Sequence, residues 1–303
     1  MTGPVQSKIF TARLGNWFDL AMSFFSVSSV ASWFFGRRMI IAKSAKDLDK
    51  MRAVGELIAE VREALRVMVE PGVSTMDLNN AADKMIRDAG AIPTFIGYHG
   101  FPYAICASVN EEIVHGFSKT KAMNEGDICS LDMAATYQGF VGDTAMTVPV
   151  GEINDDLRQL IRVTEECLDL GIQASRPNGR VGDISWAVQQ HAEKYGYGIV
   201  RDYTGHGIGR RMHEAPQIPN YGRAGTKEKI RVGDCFAIEP MLNLGTEATK
   251  TLSDKWTVVT LDGRPSAHAE HTLAVTADGP EILTLTKEQK RLRQVSRVET
   301  AAA

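Results

Sequence analysis

Several familiar signatures are missing from this chain. Among its 303 residues are only four cysteines, Cys106, Cys129, Cys167 and Cys235, with no CxxC and no metal-finger spacing. Three of the four fall in apolar strand or helix patterns, which suggests small core residues in a reducing compartment. A net charge of −3 offers no basic excess for nucleic acid. Glu214 follows His213, but no histidine stands four residues on, so the HExxH pattern is excluded. The segment Gly205-His-Gly-Ile-Gly-Arg210 lacks the third glycine of a dinucleotide loop. A clean apolar run of spanning length is absent too. Residues 17–35 are rich in Phe, Ser, Ala and Val, but they contain Asp19 and five serines, whereas a membrane helix needs about 20 strongly apolar residues.

What remains is an ordinary globular composition, 44% hydrophobic and 23% charged, enough for one sizeable core or two fused halves. Composition breaks after Arg37-Arg38, and Met39 comes next as a possible initiator. Residues 1–38 are therefore expected to be an extension outside the catalytic fold, residues 39–288 the catalytic domain and 289–303 a tail. Anchor, transit peptide and untranslated artefact are all open readings of the extension. The expected location is cytoplasmic, or an organelle if the extension is a transit peptide, with no membrane span and a monomeric state.

From Ser44 the pattern turns helical. Ser44 caps with Asp47 at the third position, and Leu48, Met51, Val54, Ile58, Val61, Leu65 and Met68 recur at three or four residues until Pro71-Gly72. A second helix is expected over 75–89, a third capped by Asn154, and a fourth over 183–195. Strands are expected at 199–203, 235–242, 256–261 and 267–275. Helix, helix, strands thus occurs twice. Pro71 and Pro177, Asp77 and Asp183, and Leu78 and Ile184 stand 106 positions apart, while Asp132 and Glu239 stand 107 apart. This internal self-similarity predicts an α+β fold of two related halves.

Residues 128–148 read as a hairpin turning at Tyr137-Gln138-Gly139. With a Gly139 bulge, Asp132 and Asp143 fall opposite each other on one face, where like charges repel. One buried Asp held by backbone donors and one exposed Asp would relieve this, and so would a shared divalent metal. His206, Glu239 in Ile-Glu-Pro and Glu270 in Glu-His-Thr are further polar residues set in apolar or Gly-rich surroundings. Singly, His206 reads as a loop histidine and Glu270 as half of an ion pair. Together, four carboxylates and one imidazole form an oxygen-rich set suited to two divalent ions such as Mn, Fe, Co or Zn. His99, His191, His268 and His271 read as structural or surface residues.

The ordered set Tyr98-His-Gly-Phe-Pro, Ile-Val-His115-Gly, Leu-Asp132, Gly-Asp143-Thr, Gly-His206-Gly-Ile-Gly, His213-Glu, Ile-Glu239-Pro and Glu270-His-Thr resembles the type I methionine aminopeptidases, over about residues 39–285. The wider pita-bread family also holds Xaa-Pro aminopeptidases and prolidases, which is the alternative reading. The resemblance implies a pita-bread fold, a pseudo-two-fold pair of helix-helix-strand halves around a curved antiparallel sheet. It implies that Asp143 and Glu270 bridge two metals, that Asp132 completes one ion, and that His206 with Glu239 completes the other. A metal-bridging hydroxide would then release the N-terminal methionine of nascent chains with a small second residue, near the ribosome. Glu239 would take the water's proton, and His115 and His213 would steady the intermediate. Tyr98, Phe101, Cys106 and Trp256 would line the methionine pocket, with His115 and His213 also touching substrate. Met212 stands where the family has an aromatic, and Phe95 where it has a smaller residue. Only 33 positions separate His206 from Glu239, too few for the helical insertion of the type II group.

Overall fold

The computed structural model describes Met1 and residues 40–293. The chain divides into Met1–Arg38 and Met39–Ala303, and every described helix and strand belongs to the second unit. The expected N-terminal extension lies outside the described residues, Met1 apart. Of the expected tail, 289–293 are helical, and Lys290 pairs with Glu56 at 3.2 Å.

Local capping chemistry sets the four long helices. Helix α1, Ala45–Arg66, starts at Ser44, whose side chain accepts from the Asp47 N–H while the Asp47 carboxylate accepts from the Ser44 N–H. Helix α2, Thr75–Asp88, repeats the arrangement with Ser74 and Asp77. Asn154 caps α3, Asp155–Ala174, and Asp183 ties the start of α4, Val181–Ala192. Helix α1 buries Met51, Val54, Ile58, Val61 and Leu65 against the first hairpin. The helix also passes close to the chain just after Gly279–Ile282: a Cβ on Gly55 would meet the Leu283 carbonyl oxygen at 2.6 Å, so only glycine fits.

Among the described residues, a nine-stranded antiparallel sheet joins the halves. Its main path runs Ile92–Pro93, Ile128–Tyr137, Phe140–Pro149, Glu270–Thr276, Cys235–Ile238, Gly205–Gly207, Glu214–Ile218. The first half supplies one side, the second half the other, and the seam lies between the Phe140 and Glu270 strands.

The hairpin register differs from expectation. The turn is the two-residue Gln138-Gly139, both with positive φ (50° and 78°), closed by the Tyr137/Phe140 pair. Such a primed turn matches the strand twist without a bulge. Asp132 therefore faces Ala145, and Asp143 faces Ala134. The two carboxylates are diagonal neighbours rather than opposites, still on one face because side chains alternate with period two.

Two expected long strands are each broken. Residues 235–242 split at Glu239-Pro240, and 267–275 split at Ala269. Pro240 has no N–H to donate. The two breaks face each other, the Ala269 N–H donating to the Pro240 carbonyl at 3.2 Å. Past them, Met241–Asn243 and Ser266–His268 leave for a separate three-stranded sheet with Gly198–Ile199. Glu239 and Glu270 thus stand where two sheets part. The expected strands at 199–203 and 256–261 shorten to Gly198–Ile199 and Val258–Thr260.

Candidate metal centre

Strand register alone gathers the polar residues. Ala145 pairs with Asp132 on one side and Glu270 on the other, so these three form a row across three strands. Ala237 pairs with both His206 and Thr272, and the Thr272 hydroxyl accepts from the Asp143 N–H at 2.9 Å and donates to the Asp143 carbonyl at 2.8 Å. That forms a second row, on the same face. Ala134, Ala145 and Ala237 are small and buried, which leaves room above the sheet.

Ligand atoms of Asp143, His206 and Glu270 lie within 4.8 Å of one another. His206 Nε2 is 3.9 Å from Asp143 Oδ2 and 3.5 Å from Glu239 Oε1. We assign the His206 proton to Nδ1, which donates to the Gly207 carbonyl at 3.0 Å and leaves the Nε2 lone pair facing the carboxylates. Burial holds the imidazole neutral, lowering its pKa to about 4. The carboxylates move the other way. Burial raises Asp143 to about 7, and burial followed by Asp143 carries Asp132 well above its ordinary value. Glu239 rises through burial, then Asp132 and Asp143; Glu270 through burial, then Asp143, Glu239 and Asp132. Asp132 Oδ1, Asp143 Oδ1 and Glu270 Oε1 are buried without a hydrogen-bond partner among the described residues. Orphaned acceptors, raised carboxylates and an inward lone pair together fit divalent cations.

At the rim, Tyr98 Oη lies 2.7 Å from His213 Nδ1, and the His213 ring packs on His206 with centroids 4.3 Å apart. Burial and the Asp143 charge keep Tyr98 a phenol, so it donates to Nδ1 and the His213 proton sits on Nε2. His115 holds a left-handed φ of 58° and packs edge-on to Tyr203 and Trp256 at 5.3 and 6.2 Å. Burial, then the nearby His213, lowers the His115 pKa to about 4. Phe101 packs on Trp256 at 5.1 Å, and Cys106 pairs with Asp132 in register. Phe95 and Met212 are buried in the same apolar cluster as Phe101 and Cys106, with Tyr98 and Trp256 packed against it.

Sequence reasoning missed several supporting groups. Buried Arg62 donates to the Thr144 hydroxyl at 2.8 Å, which donates to the Glu270 carbonyl at 2.9 Å; nothing in the helix pattern marked this arginine. Tyr203 and Thr272 were equally silent. His268, set aside as structural or surface, is buried beside Glu239 with its Nε2 4.0 Å from Oε2. Period-two alternation from Glu270 was the available signal. Of the other set-aside histidines, His271 is half-buried with its Nδ1 2.8 Å from the Thr284 hydroxyl, His191 pairs with Glu166 at 2.6 Å, and His99 is exposed against Tyr98.

Comparison with known proteins identifies the family. Residues 49–277 match metallopeptidase family M24. The chain is 46% identical to methionine aminopeptidase 1 of Bacillus subtilis, over 81% of this chain and 99% of that one. It is 47% identical to a methionine aminopeptidase of Clostridium acetobutylicum, over 82% and 99%. The crystal structure of methionine aminopeptidase from Rickettsia prowazekii superposes with a TM-score of 0.80 at 43% identity, covering 82% of this chain and all of that one. Prolidase from Pyrococcus horikoshii shares the fold, with a TM-score of 0.67 at 20% identity, covering 82% and 65%. The fold is thus the pita-bread fold, with its curved antiparallel sheet and paired halves. The chain belongs to metallopeptidase family M24, among its type I methionine aminopeptidases.

Proposed function

We infer that this chain is a metalloaminopeptidase that removes the N-terminal methionine from new polypeptides whose second residue is small. The observation that carries this is the gathering of Asp143, His206 and Glu270 within 4.8 Å on one sheet face, in a chain 46% identical to a named methionine aminopeptidase. We place the activity in residues 39–288, and the substrate is a free chain terminus, met at or near the ribosome by a monomeric enzyme. Among the described residues no helix is long and apolar enough to cross a membrane.

Five residues would hold two divalent ions: Asp143 and Glu270 shared between them, Asp132 on one, His206 and Glu239 on the other. When bound, such ions acidify water, polarise the scissile carbonyl and hold the free α-amine. The chain's own groups do the rest. Glu239 presents a carboxylate to accept and return a proton. His213, with its proton on Nε2 by virtue of Tyr98, donates towards developing negative charge, and His115 supplies a second neutral imidazole. Tyr98, Phe101, Cys106 and Trp256 enclose the methionine side chain, a fit for a polarisable thioether among aromatic rings. Phe95 and Met212, buried in the same apolar cluster, set this enclosure apart from the usual pattern.

Two measurements test this reading. Met-Ala-Ser should be cleaved well and Met-Lys-Ser poorly, if the second residue must be small as this reading holds; equal rates would contradict it. Faster cleavage of Ala-Pro-Ala than of Met-Ala-Ser would favour an Xaa-Pro peptidase, whose structures share the fold. His115→Ala and His213→Ala should each lower kcat by roughly 10²-fold with metal content unchanged. Loss of metal in either variant would make that histidine a structural support.

A further inference from the structure

One buried titratable group near the site has no role in the mechanism above. His268 is 2% exposed, and its Nε2 has no hydrogen-bond partner among the described residues. The ring is enclosed by the interior, and the backbone that carries it is clamped on both sides. The Thr147 hydroxyl donates to the His268 carbonyl at 2.8 Å and accepts from its N–H at 2.9 Å. On the other side His268 pairs with Met241 in register, just past the Glu239-Pro240 break. The Glu239 carboxylate therefore lies between two imidazoles, Oε1 3.5 Å from His206 Nε2 and Oε2 4.0 Å from His268 Nε2. A closure of about 1 Å would bring the second contact into hydrogen-bond range, and site hydrogen bonds that are long without ligands commonly tighten on loading. The orphaned nitrogen has a carboxylate acceptor 4.0 Å away.

We propose that His268 is a positioning residue that acts through Glu239, its Nε2–H donating to Oε2 and so holding Oε1 turned towards His206 and the metal side. It rests on the metallopeptidase reading given above. Outer partners that orient a ligating carboxylate typically change metal affinity by about 10–100-fold, and His268 is in place to do so. No chemistry passes through it. Its contribution is to remove rotational freedom from a carboxylate that the backbone break leaves without a strand neighbour of its own.

The test uses His268→Gln, which keeps an N–H donor at similar reach, and His268→Met, of similar length with no donor, both in the full chain. Mn²⁺ is titrated calorimetrically into metal-free protein, and kcat and KM are measured on Met-Ala-Ser. His268→Met should bind Mn²⁺ at least tenfold more weakly and lose about tenfold in kcat with KM unchanged, while His268→Gln stays within threefold of wild type on both. Equal Mn²⁺ affinities for the two variants would overturn the proposal, whether both match wild type or both are weakened. Should the methionine variant fail to fold, the glutamine variant decides alone, and a tenfold loss of Mn²⁺ affinity in it would refute the role. The titration needs no turnover. A wild-type chain unable to cleave methionyl peptides would sink the functional reading and leave this test standing.

Discussion

Asp143→Ala is expected to lower kcat/KM by more than about 10³-fold while making the metal-free protein more stable. The two effects have one cause. Asp143 is 4% exposed, its Oδ1 has no partner among the described residues, and burial raises its carboxyl to about 7. In the absence of cations it is a cost to the fold, and it also raises the carboxyls of Asp132, Glu239 and Glu270. Its backbone, by contrast, is secured through Thr272 and does not need the carboxylate. Alanine should therefore fold, relieve the cluster and lose a ligand that two ions would share. Losing even an outer partner of a metal ligand costs about 10–100-fold, so losing a shared ligand should cost more. Kinetics on Met-Ala-Ser and calorimetry in chelator check both halves. Full activity in the variant would end the metal mechanism. A lower melting temperature in chelator would mean that Asp143 supports the fold directly.

What could be read from sequence was what local chemistry decides. Ser44 with Asp47, and Asn154 before α3, announce helix starts because a cap involves residues three apart. The spacing of 106–107 positions between halves was visible for the same reason, as it needs no knowledge of the third dimension. The hairpin register was missed by two positions, since Tyr137-Gln138-Gly139 admits more than one turn and Gln138 adopts a positive φ that its type rarely takes. Residues 235–242 and 267–275 read as continuous strands because their apolar pattern continues through Glu239-Pro240 and Ala269. That the chain changes sheets at both points is a tertiary fact. It is also what sets Glu239 and Glu270 at the parting of two sheets, and it places His268 beside Glu239 although 29 positions separate them. Arg62, on the buried face of α1, reaches the site through Thr144 and left no pattern at all.

Saturating Mn²⁺ is expected to raise the melting temperature by about 10 °C at neutral pH, and the gap between metal-free and metal-loaded protein should widen between pH 6.5 and 8. A ligand at 1,000 times its Kd adds about 4 kcal/mol, and a body of this size shifts by roughly 2–4 °C per kcal/mol. The pH dependence comes from the direction of each shift. Asp143, raised to about 7, and Asp132, Glu239 and Glu270, raised well above the ordinary range, bind protons in the folded state more tightly than in the unfolded chain. The stability available with these groups protonated is fully present below about pH 4, the unfolded carboxyl range, and is lost as pH rises through their folded values. The histidines of the site act oppositely. His115 and His206 are lowered to about 4 and His268 to about 3, so the unfolded chain binds protons in preference only below about pH 6.5. Above that pH their contribution fades within about one unit, and the raised carboxyls set the direction of the slope. Metal-free protein should therefore melt at lower temperature as pH rises from 6.5 to 8, while Mn²⁺, which needs deprotonated ligands, binds more tightly over the same interval. Melting curves in chelator and in excess Mn²⁺ at several pH values measure the gap. A metal-free melting temperature that stays level or rises across the interval would show that the four carboxylates are already relieved by something other than protons. The electrostatic account of the site would then be wrong.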